Sequence, residues 1–450
     1  MHIKLSGSKS RLFLYFIIIA ALGSLLLSMP FSYKANVKVN YIDALFTSVS
    51  AVCVTGLSTL DMEVYSRTGL IFLLLLIEAG GLGILTYISF LMALSSKKIS
   101  AANRTLVKDF YIDDVEYNPK NILAKIFFFT LVIQFMGFVF LMPGLYKAGD
   151  KNFIFDSFFL SISAFCNAGF SPFNDSLQGF NENYYVLSII MILIITGGIG
   201  FIVFTNIEQK INAAKKGKNF YLSLHTKIVL FFTAALILLG FGLNLLSFWK
   251  TPLMEYPLSK RILNALFESV TLRTAGFETL PQKQFSPAVS LFHLVLMFIG
   301  GSPCSIAGGV KTTTAFIVLL YLLDGNEQRN TVRFGKRRIP SSIINKSVTI
   351  VSRSIMILII SAICLAHVEK LSIASGAFSI MDIIYECTSS LATAGLTRGI
   401  TGSLSFAGKI IIIITMYIGR TGIYAMSIKS GIYEAEDNDF IYPEESVLIG

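Results

Sequence analysis

The chain has 450 residues, of which 54% are hydrophobic and 14% charged, with a mean hydropathy of +0.69. A soluble domain carries roughly 25% charged residues, so the composition excludes an ordinary soluble enzyme and points to a membrane protein. The net charge of +10 falls in short loops between apolar spans, which reads as membrane orientation rather than a nucleic-acid surface.

Residues 1–11 carry Lys4, Lys9 and Arg11, and an apolar run covers 12–29. A basic start before an apolar run is also the pattern of a signal peptide. The length of the run and the lack of an A-x-A site favour a retained first helix. After a short connection (30–41) comes DALFTSVSAVCVTGLS at 43–58. It is too short to span a bilayer, which takes about 20 apolar residues. A longer apolar segment, 69–94, follows and contains EAGGLGILTY with Glu78. An intramembrane carboxylate is a functional suspect; the plainer reading has Glu78 near the helix start, reaching water or a Ser/Thr partner. Residues 95–121 are polar, with Lys97, Lys98, Arg104, Lys108 and Lys120; Asp109, Asp113 and Asp114 read as a solvated loop.

The same order then repeats. The second unit has a helix at 122–141, DSFFLSISAFCNAGFS at 156–171 and a helix at 185–207 carrying TGGIGF. A basic linker (Lys215, Lys216, Lys218) leads to a helix at 228–248 and NALFESVTLRTAGFE at 264–278, one residue shorter from Asn264 to its glycine. The apolar segment 288–323 is interrupted by GGSPCSIAGG at 300–309. Four glycines and a proline in ten residues exclude a continuous helix, and the break reads as an intramembrane loop that obstructs the pore and moves aside. GGVKTT at 308–313 is not a phosphate-binding loop: Val310 separates Gly309 from Lys311, so G-K-[ST] is absent. Lys311 either reaches the cytoplasmic side or orders the loop. After a second basic linker (Arg329, Arg333, Lys336, Arg337, Arg338, Lys346) come a helix at 347–366, DIIYECTSSLATAGLT at 382–397 and a helix at 407–428 containing YIGRTG. Arg420 is expected deep in the membrane, either as an electrostatic barrier to cations or in a structural ion pair. An acidic tail closes the chain.

Four copies of one short element, about 110 residues apart, define a repeat protein. Each opens with Asp or Asn and ends in a small residue, a glycine (Gly56, Gly169, Gly276, Gly395) and Leu or Phe. Ser/Thr-rich runs can serve close helix packing alone. Four copies with matching ends favour re-entrant loops around one axis, whose carbonyl oxygens replace the water shell of a cation. The predicted fold is an all-α polytopic membrane protein. Eight spanning helices and four re-entrant loops form four outer helix–pore loop–inner helix units in pseudo-fourfold arrangement. The units are 1–95, 96–209, 210–323 and 324–429, with a tail at 430–450. The Lys/Arg-rich linkers and both termini are placed in the cytoplasm. The five cysteines lack CxxC or zinc spacing and the four histidines lack an HExxH pattern. The clustered Asp/His or Ser/His groups of a membrane enzyme are missing.

The four-unit layout, the loop ends TGLS, NAGFS, TAGFE and TAGLT, the GGSPCSIAGGVKTT break and IGRTG together resemble the Ktr/Trk/HKT potassium transporter superfamily, most similar to the KtrB-type bacterial membrane subunit. The resemblance implies potassium uptake across the bacterial plasma membrane, promoted by sodium. It implies a homodimer of pore subunits on a cytoplasmic RCK-type (KtrA-like) ring, with any nucleotide on that partner and no cofactor here. It places the selectivity filter at Val54, Thr55, Gly56, Asn167, Ala168, Gly169, Thr274, Ala275, Gly276, Thr393, Ala394 and Gly395. It places the gate at Gly300, Gly301, Ser302, Ser305, Gly308 and Gly309 with Lys311, and the barrier at Arg420. One glycine per loop predicts looser potassium-over-sodium discrimination than a full TVGYG filter. The competing reading is a proton- or sodium-coupled secondary transporter with Glu78 as its carboxylate.

Overall fold

The computed structural model describes residues 8–35, 37–94, 119–247, 256–324, 332–335 and 337–422. Asp109, Asp113 and Asp114, the basic residues Lys4, Lys97, Lys98, Arg104, Lys108, Arg329 and Lys336, and the acidic tail lie outside the described residues.

The first unit consists of α1 (Ser8–Ser28), α2 (Tyr41–Cys53) and α3 (Arg67–Leu94). The second has α4 (Pro119–Lys147), α5 (Phe153–Phe165) and an inner helix in two pieces, α6 (Tyr184–Ile199) and α7 (Phe201–Lys215). The third has α8 (Leu224–Ser247), α9 (Leu258–Thr271), α10 (Pro287–Phe298) and α11 (Thr312–Asp324). The fourth has α12 (Ser341–Val368), a short α13 (Lys370–Ala374), α14 (Ile380–Ala392) and α15 (Phe406–Tyr417), which runs into a π-type turn, Ile418–Gly422. α8, α12 and Ala124–Lys147 of α4 are each long and apolar enough to cross a bilayer. The outer face of α4 exposes Phe128, Leu131 and Phe135, as a helix solvated by lipid does.

The short helices α2, α5, α9 and α14 are almost wholly buried inside this shell. Lipid gives little hydrophobic drive for helices to associate, so small residues and hydroxyl groups set the packing. Ser48, Ser161 and Ser269 each donate to a carbonyl of their own outer helix: Ala20 O (2.8 Å), Gln134 O (2.5 Å) and Ile237 O (2.7 Å). Each hydroxyl lies where a side chain on Gly23, Gly137 or Gly240 would clash. In the fourth unit the pair differs: Cys387 stands on the short helix and meets Ser361 of α12, in place of a serine against a glycine. The inner-helix glycines have a matching task. A side chain on Gly80, Gly197 or Gly419 would overlap the carbonyl of Val52, Phe165 or Leu391 at the end of the short helix.

Two features depart from the sequence reading. The expected single inner helix at 185–207 bends by 94° at Gly200. Gly200 has φ +94°, and a side chain there would lie 2.5 Å from Pro303 O. The first amide of α7, Phe201 N, donates instead to Cys304 O (2.9 Å). The linker before α12 contains a small antiparallel hairpin, β1 (Val332–Phe334) with β2 (Arg337–Ile339). Phe334 anchors it against Phe231 and Phe316, while Arg333, Arg337 and Arg338 stay exposed.

Candidate ion pathway

Each short helix ends in the same way. Val54, Asn167, Thr274 and Thr393 have φ of 57°, 53°, 63° and 51°, and the glycine two positions later is also at positive φ. Three of these four residues are β-branched, for which the left-handed region is a genuine outlier. Such backbone persists only where its surroundings over-determine it. In units one, two and four the next amide closes a turn five residues back, to Ser50 O, Ser163 O and Ser389 O, each at 2.8 Å. In the third unit Ala275 N reaches only four residues back, to Thr271 O at 2.9 Å. The missing residue is therefore absorbed before the glycine, and Gly276 keeps register with the others.

The four loops form a closed cycle. A side-chain carbon on Gly56 would lie 2.5 Å from Ala168 O, one on Gly169 3.0 Å from Ala275 O, and one on Gly276 2.7 Å from Ala394 O. One on Gly395 would overlap Thr55 O, which closes the circle. Thr55, Ala168, Ala275 and Ala394 thus each lend a carbonyl to the junction between neighbouring loops, and only glycine fits opposite. The carboxyl ends of α2, α5, α9 and α14 lead directly into this ring, so the negative ends of four helix dipoles favour a cation there. Backbone oxygens held this way can substitute for hydration water.

Beneath the ring the third inner helix stops at Phe298 and resumes at Thr312. The intervening loop folds on itself. Gly300 N donates to Val310 O (2.9 Å), Thr312 N to Gly301 O (3.0 Å), Ser305 N to Ser302 O (3.2 Å) and Lys311 Nζ to Ala307 O (2.5 Å). Lys311 is buried, so this bond lies inside the loop. Ser302 N and Ile306 N donate to Gly198 O (2.9 Å) and Gly197 O (3.3 Å) of α6. Gly308 sits under the fourth ring loop, where a side chain would collide with Thr393 Oγ1 and Ala392 O; Gly309 has φ +66°. Arg420, only 5% exposed, donates from Nη1 to Ile306 O (2.6 Å) and from Nη2 to Gly80 O (2.8 Å) and Gly81 O (3.5 Å). It ties the loop to the first and fourth inner helices. Gly419 and Arg420 correspond to Gly80–Gly81 and Gly197–Gly198, so Arg420 stands where the first two units have a second glycine.

Glu78 lies in the middle of α3, not at its start. Its Oε2 accepts from Gln134 Nε2 (3.0 Å) and Cys166 Sγ (3.4 Å), so neither water nor a Ser/Thr hydroxyl is needed to explain it. A second buried guanidinium went unread in the sequence. Arg273, next to Thr274 in the third loop and 6% exposed, donates from Nη2 to Gly300 O (2.6 Å). The signal was available: an arginine inside a re-entrant apolar loop is costly and functional by default.

Four buried helices that converge on a ring of backbone carbonyls, inside a shell of bilayer-length helices, define a multi-pass membrane transport protein. The TrkH family, described as cation transport proteins, matches residues 14–440, and the chain belongs to that family. It is 35% identical to the potassium/sodium uptake protein NtpJ of Enterococcus hirae, over 97% of this chain and 95% of that protein. It is 33% identical to the Ktr system potassium uptake protein B of Vibrio alginolyticus, over 99% of this chain and 96% of that protein. The crystal structure of the potassium transporter TrkH from Vibrio parahaemolyticus superposes with a TM-score of 0.72 at 19% identity, covering 94% of this chain and 85% of that one. That match establishes the four-repeat all-α fold.

Proposed function

We propose that the chain takes up potassium across the bacterial plasma membrane in a channel-like manner, promoted by sodium. The single observation that carries this reading is the closed cycle of Thr55, Ala168, Ala275 and Ala394 carbonyls against Gly56, Gly169, Gly276 and Gly395. In this reading Val54, Asn167, Thr274 and Thr393 turn the backbone so that the ring acts as selectivity filter. The 300–309 loop is the gate, ordered by Lys311, and Arg420 holds it while repelling cations. A homodimer rests on a cytoplasmic RCK-type ring that carries the regulatory nucleotide. In this reading the exposed Arg333, Arg337 and Arg338 of the hairpin face the cytoplasm, as the positive-inside rule expects, and are available to that ring. Relatives named as Ktr uptake proteins and as a potassium/sodium uptake protein support the substrate.

The test is uptake in a host lacking its own potassium systems, at low external potassium, with and without sodium and the RCK partner. Growth rescue strongest with both supports the whole reading. Membrane insertion without potassium transport in any combination would sink the substrate assignment. A proton-coupled mechanism is the second reading, favoured by the intramembrane Glu78 carboxylate held by Gln134 and Cys166. Uptake that loses its pH dependence in Glu78→Gln would support it; an unchanged pH profile removes Glu78 from any coupling.

A further inference from the structure

Among the described residues Arg273 has one hydrogen-bond partner. Its Nη2 donates to Gly300 O, the first residue of the broken segment, at 2.6 Å. Its Nε and Nη1 are buried and unpartnered. Arg273 borders a cavity of about 20 Å³ that Asn167, Thr233, Gly198 and Gly301 also line. Thr233 Oγ1 is likewise buried without a partner. Oriented to satisfy its neighbours, the Asn167 amide donates to Ala164 O (3.0 Å) and Ile194 O (3.2 Å), which turns its oxygen toward Gly198. A cavity of this size admits about one water, and these groups supply the two to four polar partners that a buried water needs. The second ring loop (Asn167), the third ring loop (Arg273), α6 (Gly198) and the crossing loop (Gly300, Gly301) therefore meet at one polar junction, apart from the contacts of Arg420.

We propose that Arg273 is a positioning residue that couples the ring to the crossing loop: its guanidinium holds the Gly300 carbonyl, and the loop clears the axis only when that contact breaks. The inference rests on reading the 300–309 loop as a gate. It follows from geometry and cost. A charged donor makes a stronger hydrogen bond than a neutral one, and leaving such a group buried without an acceptor is expensive. Opening must therefore either carry Arg273 along, which displaces Thr274 in the ring, or exchange its acceptor within the polar junction. Either route makes loop position and ring geometry depend on one another.

The experiment compares Arg273→Gln and Arg273→Lys in the full chain and in a chain lacking residues 302–307, by initial rates of Rb⁺ uptake with its partner ring present. Lysine keeps the charge but has a shorter, single-point donor in place of the fork, so it separates contact from charge. Both substitutions should raise the maximal rate roughly ten- to a hundredfold, the scale of one charge-assisted bond, with KM unchanged, and should add nothing in the deleted chain. Effects of equal size in both backgrounds, a change in KM alone, or wild-type behaviour of Arg273→Lys would each overturn the coupling and leave Arg273 as a charge acting on the ion. A second readout does not depend on transport. In a chain whose only cysteine is Cys304, N-ethylmaleimide should label the loop faster after Arg273→Lys; an unchanged labelling rate overturns the tether. If the unsubstituted chain inserts but carries no Rb⁺, the proposed function fails, and the labelling experiment still decides the tether.

Discussion

Val54, Thr274 and Thr393 occupy backbone that β-branched residues avoid, and each precedes a glycine that faces a neighbouring carbonyl. The sites differ in tolerance. A side chain on Gly56 would lie 2.5 Å from Ala168 O, whereas one on Gly395 would overlap Thr55 O outright. Gly56→Ser should raise the KM for Rb⁺ with the protein still in the membrane, and Gly395→Ser should abolish uptake; wild-type kinetics in both would remove these glycines from the ion path. Arg420 belongs to the same scale. A unit charge about 10 Å from a cation costs roughly 1–2 kcal/mol at an effective dielectric of about 20. Arg420→Gln also gives up most of the strength of the bonds to Ile306 O and Gly80 O, so flux should rise about tenfold. Lower flux from a normally inserted protein would argue against a barrier.

Among the elements, the short helices and the crossing loop were legible in the sequence, and the bend between α6 and α7 was not. The ring glycines announce themselves because the motif recurs and because 264–278 departs from it by one residue. Arg420 announces itself as the charged member of a set of paired glycines. The bend at Gly200 depends on Cys304 O and Pro303 O, contacts about a hundred residues away that no local pattern encodes. Arg273 was missed because attention rested on the glycine after it. The loop itself gives an element-scale prediction. Removing residues 302–307 deletes the groups that bind Gly197 O, Gly198 O and Arg420, and flux should rise while the α10 and α11 helices still insert. Unchanged flux in an assembled deletion would deny the loop a blocking role.

At the scale of the molecule, the last unit is fastened to the first. Lys409 of α15 donates to Asp43 Oδ1 of α2 at 2.6 Å, in a largely buried pair. Tyr417 OH donates to Phe13 O at 2.9 Å, and Arg420 reaches Gly80 O. Breaking a buried pair by removing one partner costs about 3–5 kcal/mol, because the other charge is left behind. Lys409→Met should lower the melting temperature in detergent, and the double variant Asp43→Asn/Lys409→Met should recover part of the loss. Additive losses would show that the pair does not clasp the units together.

Because all four loops lie on one chain, a mutation alters a single quadrant of the ring, whereas in a pore of four identical subunits every change is made four times. The quadrants have already diverged: Val, Asn, Thr and Thr stand at the four turns, one loop is shorter, and one carries a guanidinium behind it. An ion in such a ring meets unequal walls. If the ring is the filter proposed above, the ion's position would follow the unequal walls rather than the axis alone, and selectivity would be retuned in steps of one quarter.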